Sequence, residues 1–464
     1  MIYLGMEMNN SYLGKQNRKA IPFACAPFRG AVCLFMTSFL AGCSSTAVGP
    51  GPHVHRQARS HADSSLSVKA PADENLITAV VEIGPFFLHS IYESGEGPGR
   101  SDRVISIKEL VANGKTVWTE PRLGLNKELA ESFRDHPLYK EGLAFSELAE
   151  KTAAQQSSGQ NPENQAEPEN RLYWLRGIKL EVVEDVKVLP YPEFLCHSII
   201  SFDNAEHRRY FPKSSSVSGQ ALANFTQGAT DVIFPQGYGI PLNDNEKLLL
   251  DFWTLNRTSD EPRLVKGRWT VYLVADSDLT GPMQALNWYR SGVALLVDKS
   301  QPAHPHGMHK RNSMHDNKVH LNEKGEEITY HWMVPRGRHS YLTMHPEFRF
   351  DLQGPMIAAG AHLHPFAEKM SLVESTPEGS EKEVFTINSQ TGTDGGIRIE
   401  NIDYMTWPAD QPVLSKDKNI KYGWRVTYNN TTGADVDAMA GATIYFSDLR
   451  FEKPDWANDL QRDQ

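Results

Sequence analysis

The chain has 464 residues, with 47 Lys and Arg against 57 Asp and Glu and a formal net charge of −10. Residues 1–42 hold Lys15, Arg18, Lys19 and Arg29 against Glu7, so the remainder carries about −13. A chain that acidic lacks the basic surface needed to bind nucleic acid, and no nucleic-acid partner is expected.

An apolar run from Ala31 through Ala41 follows the basic residues and runs into Leu40-Ala41-Gly42-Cys43. A basic stretch, a short apolar core and small residues at a cut point read as a secretory signal. A run of about a dozen apolar residues cannot cross a hydrocarbon core that needs roughly 20. The Leu-Ala-Gly-Cys quartet resembles the bacterial lipobox, in which the Cys sulfur takes a diacylglycerol and becomes the first mature residue. The expectation is a signal over 1–42 and anchoring to a bacterial membrane through a lipid on Cys43. Ser44, rather than Asp, after that Cys points to the outer membrane, facing the periplasm. Residues 43–75 are rich in Pro, Gly, His and Ser and read as a flexible tether. Cys25 and Cys33 leave with the signal, so Cys196 stands alone beyond Cys43 and no internal disulfide is expected.

From Leu76 onward, short runs rich in Val, Ile, Thr and aromatics recur between Gly, Pro and Asn. Examples are Ile77–Ile83, Ile178–Val183 and Trp269–Val274. Many such runs without long helical periodicity predict an all-β chain of two tandem, jelly-roll-like sandwiches. Helical patterning is confined to Lys127–Asp135 and Ala144–Ala154. The Gln/Ser/Glu/Asn/Pro-rich stretch 155–170 reads as a disordered insertion. The expected domains are 76–285 and 286–455, the second carrying a His/Met-rich segment near 299–327. That segment includes His304, His306, Met308, His309, Met314, His315 and His320. It suits either copper handling or a polar connection with incidental His content.

Ala361-His362-Leu363-His364-Pro365 is the most suggestive cluster. In a strand, residues two apart face the same side, so both imidazoles can point at one metal ion. Imidazole suits copper, zinc, iron or nickel, and a thioether partner tilts the choice towards copper(I). The alternative is a strand that carries two His without a ligand role. No nucleophile elbow, phosphate-binding Gly loop, His-Glu-x-x-His or carboxylate pair stands out.

Several patches in order resemble the copper type II, ascorbate-dependent monooxygenases, over roughly Arg176–Ser447. They are Gly177–Val183 leading to Pro192-Glu193-Phe194-Leu195-Cys196-His197, and Phe234–Gly239 followed by Leu248–Asn256. Val334–His339 then precedes Ala359–His364, and Tyr428–Thr432 runs into Asp437-Ala438-Met439 and Ala442–Phe446. The resemblance implies two sandwiches facing each other, each with a copper. It maps the oxygen-binding copper onto His362, His364 and Met439. For the electron-transfer copper, the family's adjacent His pair reads Cys196-His197 here. The later strand that should supply a third His has none, with Trp253 or Thr254 at the position. Indole nitrogen is a donor only and cannot ligate a metal. Cys196 and His197 remain open either as a two-coordinate copper(I) site or as a buried apolar residue beside a His.

The expected function is therefore an exported, membrane-anchored copper-binding protein with about one copper per chain. Two alternatives stand beside it. One is an active copper monooxygenase that hydroxylates a C–H bond of an unidentified small molecule or peptide with an external reductant. The other is a structural cell-envelope lipoprotein.

Overall fold

The computed structural model describes residues 71, 75–88, 99–119, 131–141, 143–144, 170–184, 187–189, 192, 194–214, 221–254, 256, 261–297, 320–322, 324–345, 354–392, 398–407 and 411–456. The expected signal, Cys43, the tether to residue 70, residues 155–169 of the insertion and most of 299–327 lie outside them. So do residues 127–130 and 145–154 of the expected helices.

The chain is all-β, as its strand-rich runs predict. In order come β1 (Ile77–Leu88), β2 (Gly99–Ser106), helix α1 (Ile107–Asn113), β3 (Lys115–Thr119), β4 (Leu172–Glu184), β5 (Lys187–Val188) and β6 (Leu195–Phe202). Helix α2 (Asn204–Tyr210) leads to β7 (Ala221–Phe225), β8 (Asp231–Ile233), β9 (Tyr238–Asn243), β10 (Lys247–Thr254), β11 (Arg263–Ala275) and β12 (Gln284–Gly292). Then follow β13 (Leu295–Leu296), β14 (His320–Leu321), β15 (Glu327–Thr329), β16 (Trp332–Val334), β17 (Gly337–His345), β18 (Met356–Leu363) and β19 (Ala367–Ser375). The last are β20 (Glu381–Thr391), β21 (Ile399–Ile402), β22 (Met405–Thr406), β23 (Lys421–Asn430), β24 (Val436–Ala438) and β25 (Ala440–Ser447). Among the described residues no helix is long and apolar enough to cross a membrane.

One sheet of 11 strands runs through both halves of the sequence, in the order β22-β18-β25-β12-β9-β4-β11-β1-β3, with β5 and β8 paired to β4. The halves join where β12 pairs in parallel with β9, Gln284 opposite Tyr238 and Ala285 opposite Gly239. The boundary expected between 285 and 286 thus falls inside β12. The four strands β2-β10-β6-β7 cover one end of the long sheet, and the five strands β17-β23-β19-β20-β21 cover the other. Each covering layer closes an apolar core, because alternate side chains of a strand project to one face. The first core joins Val81, Leu180, Trp269 and Val271 to Phe202, Phe225, Leu250 and Phe252. The second joins Ala361, Leu363, Ala442 and Ile444 to Leu372, Ile387, Trp424 and Val426.

The middle strands decide how the halves meet. Along β25, Ala442, Ile444 and Phe446 enter the second core, while Tyr445 turns to the first. In β18, Ala359, Ala361 and Leu363 face the second core, and Ala358 belongs to the first. Covered on both faces, these strands are built from small residues: Ala358-Ala359-Gly360-Ala361 and Ala438-Met439-Ala440-Gly441-Ala442. The Tyr445 hydroxyl donates to the Leu222 carbonyl of β7 at 3.0 Å, tying the halves together at their contact. The far end of the expected His/Met-rich segment, from His320, enters a small sheet ordered β13-β15-β14.

Candidate metal centre

His362 lies one residue before the end of β18, and His364 follows directly after that strand. Leu363 between them is buried in the second core, so both His project to the opposite side, towards the first half. Their ring centroids are 5.4 Å apart, and each residue is 5% exposed. Strand alternation therefore delivers the expected juxtaposition of the two imidazoles.

In the ladder with β25, His362 stands across from Gly441 and Leu363 across from Ala440. The next step is made by the His364 N–H, which donates to the Met439 carbonyl at 3.2 Å. The Tyr428 hydroxyl donates to the same carbonyl at 2.7 Å, which pins Met439 beside His364 through its backbone. Met439 sits at the break between β24 and β25 and is half-buried.

Two further residues complete the cluster. Strand β24 pairs with β16, Trp332 opposite Ala438 and Met333 opposite Asp437, and this brings His331, just ahead of β16, to Asp437. Asp437 Oδ2 lies 2.8 Å from His364 Nδ1, and Oδ1 lies 3.6 Å from His331 Nδ1. The ligand atoms of His331, His364 and Asp437 all fall within 4.8 Å of one another. Ligands around one ion at bond lengths of about 2.0–2.2 Å come within such distances. Neither His331 nor Asp437 stood out in the sequence. Asp437 did carry a signal, standing two residues before Met439, while His331 had none beyond its residue type.

The first-half residues meet the second-half pair rather than standing apart from it. His197 on β6 packs edge-on against His362, with ring centroids 5.8 Å apart. The imidazoles of His197, His362, His364 and His331 thus form a continuous row, the last pair 5.6 Å apart. Cys196 Sγ lies 3.5 Å from His197 Nδ1. Trp253 of β10 is directly opposite His197 in the ladder, and its indole stacks on the imidazole at 4.9 Å. The place where the resemblance implies a third ligand is therefore filled by a ring that cannot coordinate.

Electrostatics favour a neutral, ligand-ready His362. Burial, followed by the neighbouring His364, His197, Arg290 and His331, holds its imidazole well below the usual range. Its Nε2 is buried without a hydrogen-bond partner among the described residues. Leaving such an atom unsatisfied costs about 1–3 kcal/mol, and a metal bond or a ligand proton would relieve it. The donor set of imidazoles with one carboxylate fits a borderline divalent ion such as copper(II), zinc or iron(II), and a thioether would extend it towards copper(I). The residues present thus fit a metal.

No protein family and no curated protein matches this chain. Among solved structures, the STIV MCP aligns at a TM-score of 0.21 and 7% identity, over 64% of this chain and 92% of that one. The infectious bursal disease virus VP2 subviral particle aligns at 0.16 and 11%, over 61% of this chain and 60% of that one. The Gx strain of the same virus gives 0.15 and 11%, over 61% and 58%. Likenesses this slight carry no argument about fold or function.

Proposed function

We propose that this is an exported, lipid-anchored protein that binds one copper ion at the histidine cluster between its two sandwiches. The carrying observation is the convergence of His331, His364 and Asp437 within 4.8 Å, next to the unpartnered Nε2 of His362. In this reading His364 is the central ligand. Asp437 supplies an anionic oxygen beside the ion, its carboxylate lying 2.8 Å from His364 Nδ1 and 3.6 Å from His331 Nδ1. His362, His364 and Met439 remain the set that the family resemblance implies, and His331 and Asp437 are added to it. Copper rather than zinc rests on that resemblance and on Met439 beside His364.

A binder is preferred to a two-copper monooxygenase because Trp253 stacks on His197 where a third imidazole would be needed. Metal analysis of the full chain in detergent tests the reading. About one tightly held copper is expected in the wild type, lost in His364→Ala. Two coppers per chain after removal of residues 299–327 would return the enzyme reading, and zinc outcompeting copper would reassign the metal. The absence of any tight metal would leave a structural lipoprotein.

A further inference from the structure

The face of the long sheet that looks towards the first core carries polar groups that the metal centre does not use. Residues directly opposite one another in antiparallel strands project to the same side. Arg290 of β12 stands opposite Thr443 of β25, and Thr443 stands opposite Gly360 of β18. The adjacent row is Trp288, Tyr445 and Ala358, all members of the first core, which fixes the side to which Arg290 and Thr443 project. Tyr404, leading into β22, lies over Gly360, where an added Cβ would meet its ring at 3.3 Å. Arg290, Thr443 and Tyr404 therefore gather over Gly360. The next row on, Gly292 and Gly441 beside His362, adds two more residues without side chains.

These three side chains have hydrogen-bonding capacity that the described residues do not meet. Thr443 is 3% exposed, and neither its Oγ1 nor the Tyr404 hydroxyl has a hydrogen-bond partner. The Arg290 guanidinium is mostly buried, and burial draws its pKa down. The titratable neighbours that act on it are the neutral phenols Tyr330 and Tyr445, with no carboxylate among the described residues that do so. A largely desolvated guanidinium with no carboxylate partner among the described residues, near two buried unsatisfied hydroxyls, is an arrangement that an anion would relieve.

We propose that Arg290, Thr443 and Tyr404 form a binding pocket for a small carboxylate. The planar guanidinium takes both carboxylate oxygens in a fork, and the two hydroxyls donate to the same oxygens. One row separates the pocket from His362, about 7 Å along the strands, so the ligand sits beside the metal centre and does not depend on it.

Calorimetry and thermal unfolding of the full chain, both metal-free and copper-loaded, test the pocket with acetate, propionate and benzoate at constant ionic strength. Saturable binding is expected for at least one of them, with a raised unfolding temperature, and chloride should give neither. Arg290→Gln should weaken binding about ten- to a hundredfold, and Thr443→Val and Tyr404→Phe roughly three- to tenfold each. The last two should also raise the unfolding temperature of the ligand-free protein, because each deletes an unsatisfied hydroxyl. A purely structural role would not give that opposed pair of effects. Binding should persist in His364→Ala, which separates this pocket from the metal reading. Should Arg290→Gln fail to fold, the two hydroxyl-deleting variants still decide. No carboxylate response beyond that of chloride, unchanged affinity in Thr443→Val, or tighter binding of inorganic phosphate than of any carboxylate would each overturn the proposal.

Discussion

Asp437→Asn is the sharpest test of which atoms hold the ion. Asp437 touches two imidazoles at once, His364 at 2.8 Å and His331 at 3.6 Å. Asn keeps its shape and volume, so the metal-free fold should change little, but the negative charge between the rings is gone. Losing a carboxylate that orients or joins a metal ligand typically costs ten- to a hundredfold in affinity, or about 1.4–2.7 kcal/mol. An anionic oxygen serves the oxidised ion better than the reduced one, so copper(II) should weaken more than copper(I). Met439→Ile should show the reverse preference, because it removes a soft thioether and keeps the volume. Paired chelator-competition titrations of both oxidation states on wild type and the two variants read this directly. Wild-type copper affinity in Asp437→Asn, with binding abolished in Met439→Ile, would refute the Asp437 assignment and leave His362, His364 and Met439 as the ligand set.

Other outcomes follow from single residues. Restoring an imidazole with Trp253→His, opposite His197 in the ladder, should raise copper occupancy above one per chain, and unchanged stoichiometry would count against a latent first-half site. Burial lifts the Asp231 carboxyl from its ordinary 3.8 to about 6, so the folded state holds that proton more tightly than the unfolded chain does. Stability should therefore fall as pH climbs from about 4 to 6 and stay lower above that. Asp231→Asn should remove the fall and be more stable by about 3 kcal/mol near pH 7.5 but by far less near pH 4, as read from urea midpoints. Equal gaps between the two proteins at both pH values would contradict this. Cys43→Ala should abolish incorporation of a fatty-acid analogue in growing cells, and continued labelling would dispose of the lipoprotein reading.

Strand content was legible because its signal is local. Alternation and β-branched runs mark Ile77–Ile83, Ile178–Val183 and Trp269–Val274, and each lies within a strand of the long sheet, β1, β4 and β11. The way the halves share a sheet was not legible. The β9–β12 junction rests on two residue pairs between segments distant in sequence, and no turn or periodicity announces it. The Ala- and Gly-rich composition of β18 and β25 was the available clue, since a strand covered on both faces by packed layers has little room for large side chains.

The site divided along the same line. His362 and His364 face one way because two residues along a strand restore the same side, and that periodicity is written into the sequence. His331 reaches Asp437 only through the short pairing of β16 with β24, two three-residue strands with no periodic pattern to declare them. His197 reaches His362 only because β6 and β18 lie in layers that meet where the halves join. A reading built on separate domains places two metal sites apart, one on each side of a cleft. The 5.8 Å contact between His197 and His362 instead makes the histidines of both halves one row, and His197 and His331 both act electrostatically on the His362 between them. In the proposed reading, that geometry makes residues of the first half part of the surroundings of the His331, His364 and Asp437 cluster of the second.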